Sequence, residues 1–196
     1  LAKNPRAAEK VPSSIEFELW KHYYRKQESF KRGLNYESRE GIDEKKYRVE
    51  RITLFPESKY ASYNSREVIF DYYRLRCTGD VPVIVILPII GGKKYPIEEH
   101  FARYFVKKGY AVALVHREQK MDKEVDALED VDHLLKTTVA DNKRVIDWLE
   151  KQENVDMDKI GVFGISFGAI KASLLLPLEE RIKAGDTIII ENVQGN

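Results

Sequence analysis

Lys159-Ile160-Gly161-Val162-Phe163-Gly164-Ile165-Ser166-Phe167-Gly168-Ala169 decides how this chain is read. An apolar run ends at Ser166, glycines lie two residues to either side of it, and a helical pattern begins at once. The pattern is G-x-S-x-G in the context that gives it meaning: strand, sharp turn, helix. The demand it meets is steric. A serine held in a tight, strained turn exposes its Oγ above the sheet, while side chains at 164 and 168 would crowd the turn and the neighbouring strand. The same turn aims the first amides of the next helix outward, where they can stabilise developing negative charge. The competing reading is a glycine-rich turn with a bystander serine. Neither Gly161, Gly164 and Gly168 nor Gly91-Gly92-Lys93-Lys94 fits a dinucleotide fingerprint or a P-loop.

Working outward, two unbroken apolar runs lie upstream. Val83-Ile84-Val85-Ile86-Leu87 and Tyr110-Ala111-Val112-Ala113-Leu114-Val115 lack alternation, as strands covered on both faces do. Between them Ile97, Phe101, Tyr104, Phe105 and Lys108 mark an amphipathic helix closed by Gly109, so the two strands should be parallel through a right-handed crossover. Val131 to Leu149 repeats apolar residues on one face of a long helix that leads to the serine strand. After Ser166 a helix runs to about Leu176, where Pro177 interrupts it. Gly185-Asp186 then reads as a turn into a last strand, Thr187 to Ile190.

Further upstream, Tyr47 to Phe55 alternates and Val68 to Leu75 is rich in β-formers. These predict an antiparallel pair at a sheet edge, with Tyr72 and Tyr73 as cross-strand packing. Gly33 to Lys45 reads as a charged connector, and a helix is expected from about Ser14 to Lys31. The expected division is an N-terminal arm and helical extension over 1–45 and an α/β core over 46–196.

Composition narrows the class. Of 196 residues 43% are hydrophobic, enough for one α/β domain with a real core. The 33 basic and 32 acidic residues nearly cancel, so nothing drives the chain toward nucleic acid or an anionic membrane. No apolar run is long enough to span a bilayer. Cys77 is alone and reads as a small buried hydrophobe near a strand end. The four histidines have no metal-site spacing, so neither metal nor cofactor is expected. The chain begins with Leu1, which leaves the compartment open between cytoplasm and export after removal of a leader.

From Tyr47 to Ile190 the order of elements resembles the α/β-hydrolase superfamily, closest to its dienelactone-hydrolase, esterase and prolyl-oligopeptidase branch. The residues carrying the resemblance are the elbow Gly164-Ile165-Ser166-Phe167-Gly168 and the loop Leu87-Pro88-Ile89-Ile90-Gly91-Gly92. The resemblance implies a mostly parallel sheet with helices on both faces, preceded here by the antiparallel pair and the extra N-terminal helix. It implies Ser166 as nucleophile and an oxyanion hole made by the backbone N–H of Phe167 and of Ile90, alternatively Ile89. Pro88 and Ile89 stand where the family has His-Gly, so the donating residue in that loop stays open. A small ester-type substrate is implied.

The family's acid and histidine follow the nucleophile, yet the last histidine here is His133. A serine hydroxyl without a positioned base is a poor nucleophile. The expectation is therefore a copy of a longer serine hydrolase of carboxylic esters that lacks its C-terminal strands and the rest of its triad. The alternative is a non-catalytic hydrolase-fold protein that binds a ligand or partner. His116 ends a parallel strand on the same sheet edge as Ser166. His116 and Arg117 read as lining the pocket mouth, with His116 as a substitute base the lesser option. His22, His100 and His133 read as surface or packing. Lys93, Lys94 and Tyr95 lie near the oxyanion loop and could favour an anionic substrate, while the two lysines read first as solvated surface.

Overall fold

A computed structural model describes residues 35–55, 67–89, 94–117 and 128–188, with only the backbone of 128–136. The expected helix at 14–31, Ile90 with its following glycines, the loop after Arg117 and the side chain of His133 lie outside the described residues.

The elements are β1 (Tyr36–Asp43), β2 (Tyr47–Leu54), β3 (Val68–Leu75), β4 (Val81–Leu87), α1 (Pro96–Lys107), β5 (Ala111–Val115), α2 (Leu128–Leu149), β6 (Val155–Ile165), α3 (Phe167–Leu175) and β7 (Ile182–Ile188). The seven described strands form one sheet in the order β1-β2-β3-β5-β4-β6-β7. Strands β1, β2, β3 and β5 pair antiparallel in succession, whereas β5, β4, β6 and β7 run parallel. The unbroken apolar runs are the centre of this sheet, and every residue of β5 is buried.

Alternation along β3 distributes its aromatics to opposite faces. Phe70 and Tyr72 point to one face, where Trp148 of α2 meets their rings edge-on at 5.2 and 5.1 Å. Tyr73 points to the other and packs with Val49, Ile86, Leu114 and Ile165 beneath Ala102 and Val106 of α1. There Phe101 tilts against Phe163 of β6 at 4.8 Å, and Phe105 meets it edge-on at 5.3 Å. Helices thus cover both faces. Tyr72 and Tyr73 are packing residues, as expected, and burial pushes the Tyr72 hydroxyl up to about 12.

Four expectations are corrected. The charged segment read as a connector contains β1, which takes the sheet edge outside β2 and β3. All eight of its residues are exposed, so no hydrophobic period marks it. It is held by its ladder to β2, by the Arg76–Asp43 ion pair and by Tyr36, whose ring meets Trp148 edge-on at 5.9 Å. β7 begins at Ile182, so Gly185-Asp186 lies within a strand and not at a turn. A Cβ on Gly185 would sit 2.6 Å from a Leu176 methyl, which explains a glycine in mid-strand. Helix α1 buries Glu98, Ala102 and Val106, while Ile97 and Tyr104, assigned to its inner face, are 37% and 51% exposed. Cys77 is exposed, because it lies beyond the last residue of β3.

Register fixes the functional edge. Ile86 lies opposite Leu114, Leu87 opposite Gly164, and Ile165 opposite Ile188. The C-terminal ends of β4, β5, β6 and β7 are therefore level, and the residues after them share the edge where open α/β sheets bind ligands.

Trp148 joins α2 to β1 and β3 and is 1% exposed. Trp148→Ala should lower unfolding free energy by about 3–5 kcal/mol, read by urea titration with circular dichroism. Ile42→Ala on exposed β1 should cost no more than about 0.5 kcal/mol.

Candidate active site

Ser166 closes β6 and opens α3 with φ 52° and ψ −114°, a conformation that an L-residue rarely holds. Such backbone costs about 1–3 kcal/mol and survives only where its surroundings enforce it. The enforcement is visible. The Ser166 N–H donates to the Ile188 carbonyl at 2.7 Å, and the Ser166 carbonyl accepts from the Ala169 N–H at 2.8 Å. The chain then turns so tightly that a Cβ on Gly164 would lie 2.4 Å from the Gly168 carbonyl oxygen. A Cβ on Gly168 would lie 2.1 Å from the Leu87 carbonyl oxygen and 2.9 Å from that of Pro88. Both contacts are with backbone, so no rotamer change relieves them. Ser166 and Phe167 are half-buried above this junction, and Phe167 begins a helix whose first amides have no partner within the helix. Lys171, one turn on, sets its ammonium 5.2 Å from the Phe167 ring centre.

The approach of Gly168 brings the loop after β4 against the start of α3. Within that loop the Ile89 N–H donates to Glu98 Oε1 at 3.2 Å, and the Ile89 carbonyl accepts from Arg117 Nε at 2.8 Å. Arg117 also donates to the Lys94 carbonyl at 2.6 Å and forms an ion pair with Glu98. Its guanidinium lies 4.2 Å from the Tyr95 ring centre, and its own N–H donates to the Tyr95 hydroxyl at 2.9 Å. The Arg117 side chain is 9% exposed and that of Glu98 fully buried.

His116 enters a second network. Its Nε2 lies 2.9 Å from Asp71 Oδ2, and its ring stacks on Tyr95 at 4.8 Å. Asp71 takes a two-pronged contact from Arg51, at 2.8 and 3.1 Å. Burial alone would raise the Asp71 pKa, but the bonds from His116 and Arg51 outweigh it and hold the carboxyl below its usual range. Strand β4 stands between β5 and β6, so at about 4.8 Å per strand His116 lies roughly 10 Å from Ser166 along the sheet edge. No histidine follows Ser166 in the sequence.

Of the residues singled out from sequence, Ser166, Phe167, Gly164 and Gly168 thus meet the loop carrying Ile89, while His116 and Arg117 are engaged beside it. Tyr95, singled out only for its place near the oxyanion loop, is built into both networks. Asp71 and Glu98 were missed. A signal for Glu98 existed, since it shares the i, i+4, i+8 stripe with Ala102 and Val106, and an acid on a buried stripe requires a cation. Asp71 had no such signal, because an acid in an alternating strand reads as solvent-facing. Among the described residues no group of three His, Cys, Asp or Glu could hold a metal ion, and no helix is long and apolar enough to cross a membrane.

Comparison with known proteins places this geometry. The model of the X-Pro dipeptidyl-peptidase (S15) family matches residues 20–192. The chain belongs to that family. Solved structures similar to this S15-family chain include an acetyl xylan esterase from Paenibacillus sp. R4, with TM-score 0.64 and 14% identity over 90% of this chain and 60% of that one. Acetyl xylan esterase 1 from Thermoanaerobacterium sp. gives 0.61 and 13% over 91% and 58%, respectively. A glucuronoyl esterase from Teredinibacter turnerae gives 0.55 and 15% over 91% and 53%. At such identities the likeness is one of fold, and the fold is that of the α/β-hydrolases. The chain spans less than two thirds of the length of each of these relatives. No curated protein sequence matches it significantly.

Two outcomes follow from the site geometry. Gly168→Ala should lower stability by about 1–3 kcal/mol, because backbone on both sides must shift, as read by denaturant midpoint. The Asp71 pKa is held down in the folded state, so its stabilisation is present above the unfolded carboxylate pKa of about 3.9 and is lost as pH falls through the lower folded value. Asp71→Asn should therefore flatten the acid limb of a stability–pH profile between about pH 5 and 2.

Proposed function

We propose that this chain carries the nucleophile-bearing part of a serine hydrolase that cleaves carboxylic esters or related acyl bonds. The observation supporting it is the strained Ser166 backbone, enforced by two glycines that touch neighbouring main chain. Strain of this kind serves a side chain that must stand exposed at the mouth of a sheet.

In this reading Ser166 Oγ attacks the acyl carbonyl carbon and the carbonyl π electrons move to oxygen. The resulting oxyanion accepts hydrogen bonds from the Phe167 N–H and from an amide of the loop after β4. Ile90 is the better donor there, because the Ile89 N–H is already given to Glu98. Collapse of the tetrahedral intermediate expels the alcohol and leaves an acyl group on Ser166, which water then removes. The proton of Ser166 goes to a histidine oriented by a carboxylate, both supplied from outside this chain. His116 is a poor substitute, being committed to Asp71 and roughly 10 Å away by strand spacing.

The solved relatives are named for acetyl and glucuronoyl esters, the family for X-Pro peptides. All three chemistries pass through the same oxyanion, and the ester is the substrate class preferred here.

The full natural gene product containing this chain should react with a fluorophosphonate probe at Ser166 and hydrolyse p-nitrophenyl acetate. Ser166→Ala should abolish labelling and lower ester turnover by at least about 10³-fold. Faster cleavage of Ala-Pro-p-nitroanilide than of the ester would move the substrate class to peptides. A folded protein that neither labels nor turns over either substrate would support instead a hydrolase-fold protein that binds without catalysis.

A further inference from the structure

We propose that the outer edge of β1 is an interface between two copies of this chain, whose residues 36–40 pair antiparallel about a two-fold axis at Ser38. Among the described residues β1 ends the sheet, with β2 on one side only. All eight of its residues are exposed. Such an edge presents a row of main-chain donors and acceptors that another strand can complete. The ladder fixes which groups these are. The Phe55 N–H donates to the Asn35 carbonyl at 2.9 Å, one step beyond the pair formed by Tyr36 and Leu54. Hydrogen-bonded pairs alternate along an antiparallel ladder, so Asn35, Glu37 and Arg39 turn their main-chain groups toward β2. Tyr36, Ser38 and Glu40 turn theirs outward, and among the described residues no main-chain bond reaches them.

That alternation restricts how two copies can meet. The two-fold axis must pass through a residue, because an axis between residues would set outward-facing positions opposite inward-facing ones. Centred on Glu37, Arg39 or Glu40, the pairing sets that charge against its own copy, and like charges directly opposite are destabilising. Centred on Ser38, it sets Glu37 against the partner's Arg39 and Arg39 against the partner's Glu37. Both contacts fall at non-hydrogen-bonded positions, where facing side chains come closest. Register with β2 is regular from Tyr36 to Glu40 and shifts before Asp43, so Ser38 is also the midpoint of the regular ladder. Arg39 stands opposite Arg51, whose fork is already given to Asp71. It meets Glu37 of its own strand at 3.4 Å, with side chains 81% and 56% exposed, which leaves both open to a second contact. Edges guarded against pairing carry lysine or proline, and residues 36–40 hold neither. They carry two signs of charge at a spacing that complements itself.

The interface lies five strands from β6, roughly 24 Å along the sheet at about 4.8 Å per strand, so it leaves the serine edge open and does not rest on the hydrolase reading. So short a pairing buries little surface, which predicts a reversible dimer with a dissociation constant of about 10–100 µM. The test is sedimentation equilibrium of the full natural gene product across concentrations that span this constant. Glu37→Arg and Arg39→Glu should each weaken the dimer at least about 10-fold, because each sets like charges opposite one another twice. An equimolar mixture of the two should dimerise as the wild type does, since one chain then presents two cations and the other two anions. Ser38→Pro deletes an outward N–H and none that β2 uses, so it should abolish the dimer and keep the wild-type circular dichroism. Hydrogen exchange at the Ser38 amide should slow as protein concentration rises. A wild type that stays monomeric overturns the proposal: free exchange at Ser38 would then show a bare edge, and protection would show an edge covered by the protein's own chain. A dimer that survives Ser38→Pro, or single variants whose mixture does not recover, overturns it too, the contact then lying elsewhere. Variants that unfold also overturn it, because β1 would then brace its own sheet.

Discussion

The close approach of α3 to the end of β4 is the constraint on which the rest of this molecule depends. Gly168 lies so near the Leu87 carbonyl that even a methyl group would overlap it. That approach requires β4 and β6 to be neighbours, which in turn requires β5 to lie on the far side of β4, as the strand order has it. It requires a turn at Ser166 tight enough to start a helix within one residue of the strand end. It also requires Gly164, because a turn of that radius folds the Gly168 carbonyl back over position 164. One steric fact thus links strand order, helix start and the exposure of a single hydroxyl. The energy stored in the serine backbone is small beside the apolar surface that β4, β5 and β6 bury, which is why the fold can sustain it.

Charge organises the periphery in the same local way. Arg181, just before β7, donates to Glu179 through two nitrogens and to Asp147 and Glu150 through a third. Burial pushes both Glu179 and Asp147 upward. The forked contact overcomes this for Glu179, whose carboxyl is held low, whereas Asp147 remains raised. One guanidinium cannot serve three carboxylates equally, and geometry decides which benefits. The effect is to fasten the beginning of β7 to the C-terminal end of α2, below the level of the serine. Arg117 does the corresponding work above it, on the loop after β4. Arginines in both places suit the task, because each must hold several oxygens at fixed directions.

What could be read from the sequence followed from burial. β4, β5 and the strand before Ser166 announce themselves as uninterrupted apolar runs because both their faces are covered. The elbow is legible because steric demands leave only glycine at 164 and 168. β1 left no trace, since a strand with every side chain in water is held by its backbone ladder alone, and Glu37, Arg39 and Glu40 look like any solvated loop. The start of β7 was hidden by Gly185, which reads as a turn but is required by Leu176. The inner face of α1 was read correctly at Phe101 and Phe105 and misassigned at Ile97 and Tyr104, because small Ala102 and charged Glu98 are more deeply buried than its larger side chains. Asp71 and Glu98 could not be recognised as partners of His116 and Arg117, because pairings across 45 and 19 residues exist only after the sheet is assembled.

The hydrogen bond from the Ser166 amide to the Ile188 carbonyl has a consequence for lifetime rather than geometry. The bond joins the turn to the neighbouring strand, so the costly backbone at Ser166 holds while the ends of β6 and β7 stay paired. Local opening of that ladder releases the amide and leaves the turn free to relax. The persistence of the exposed hydroxyl is therefore set by the pairing of two strands and not by the residues of the elbow alone.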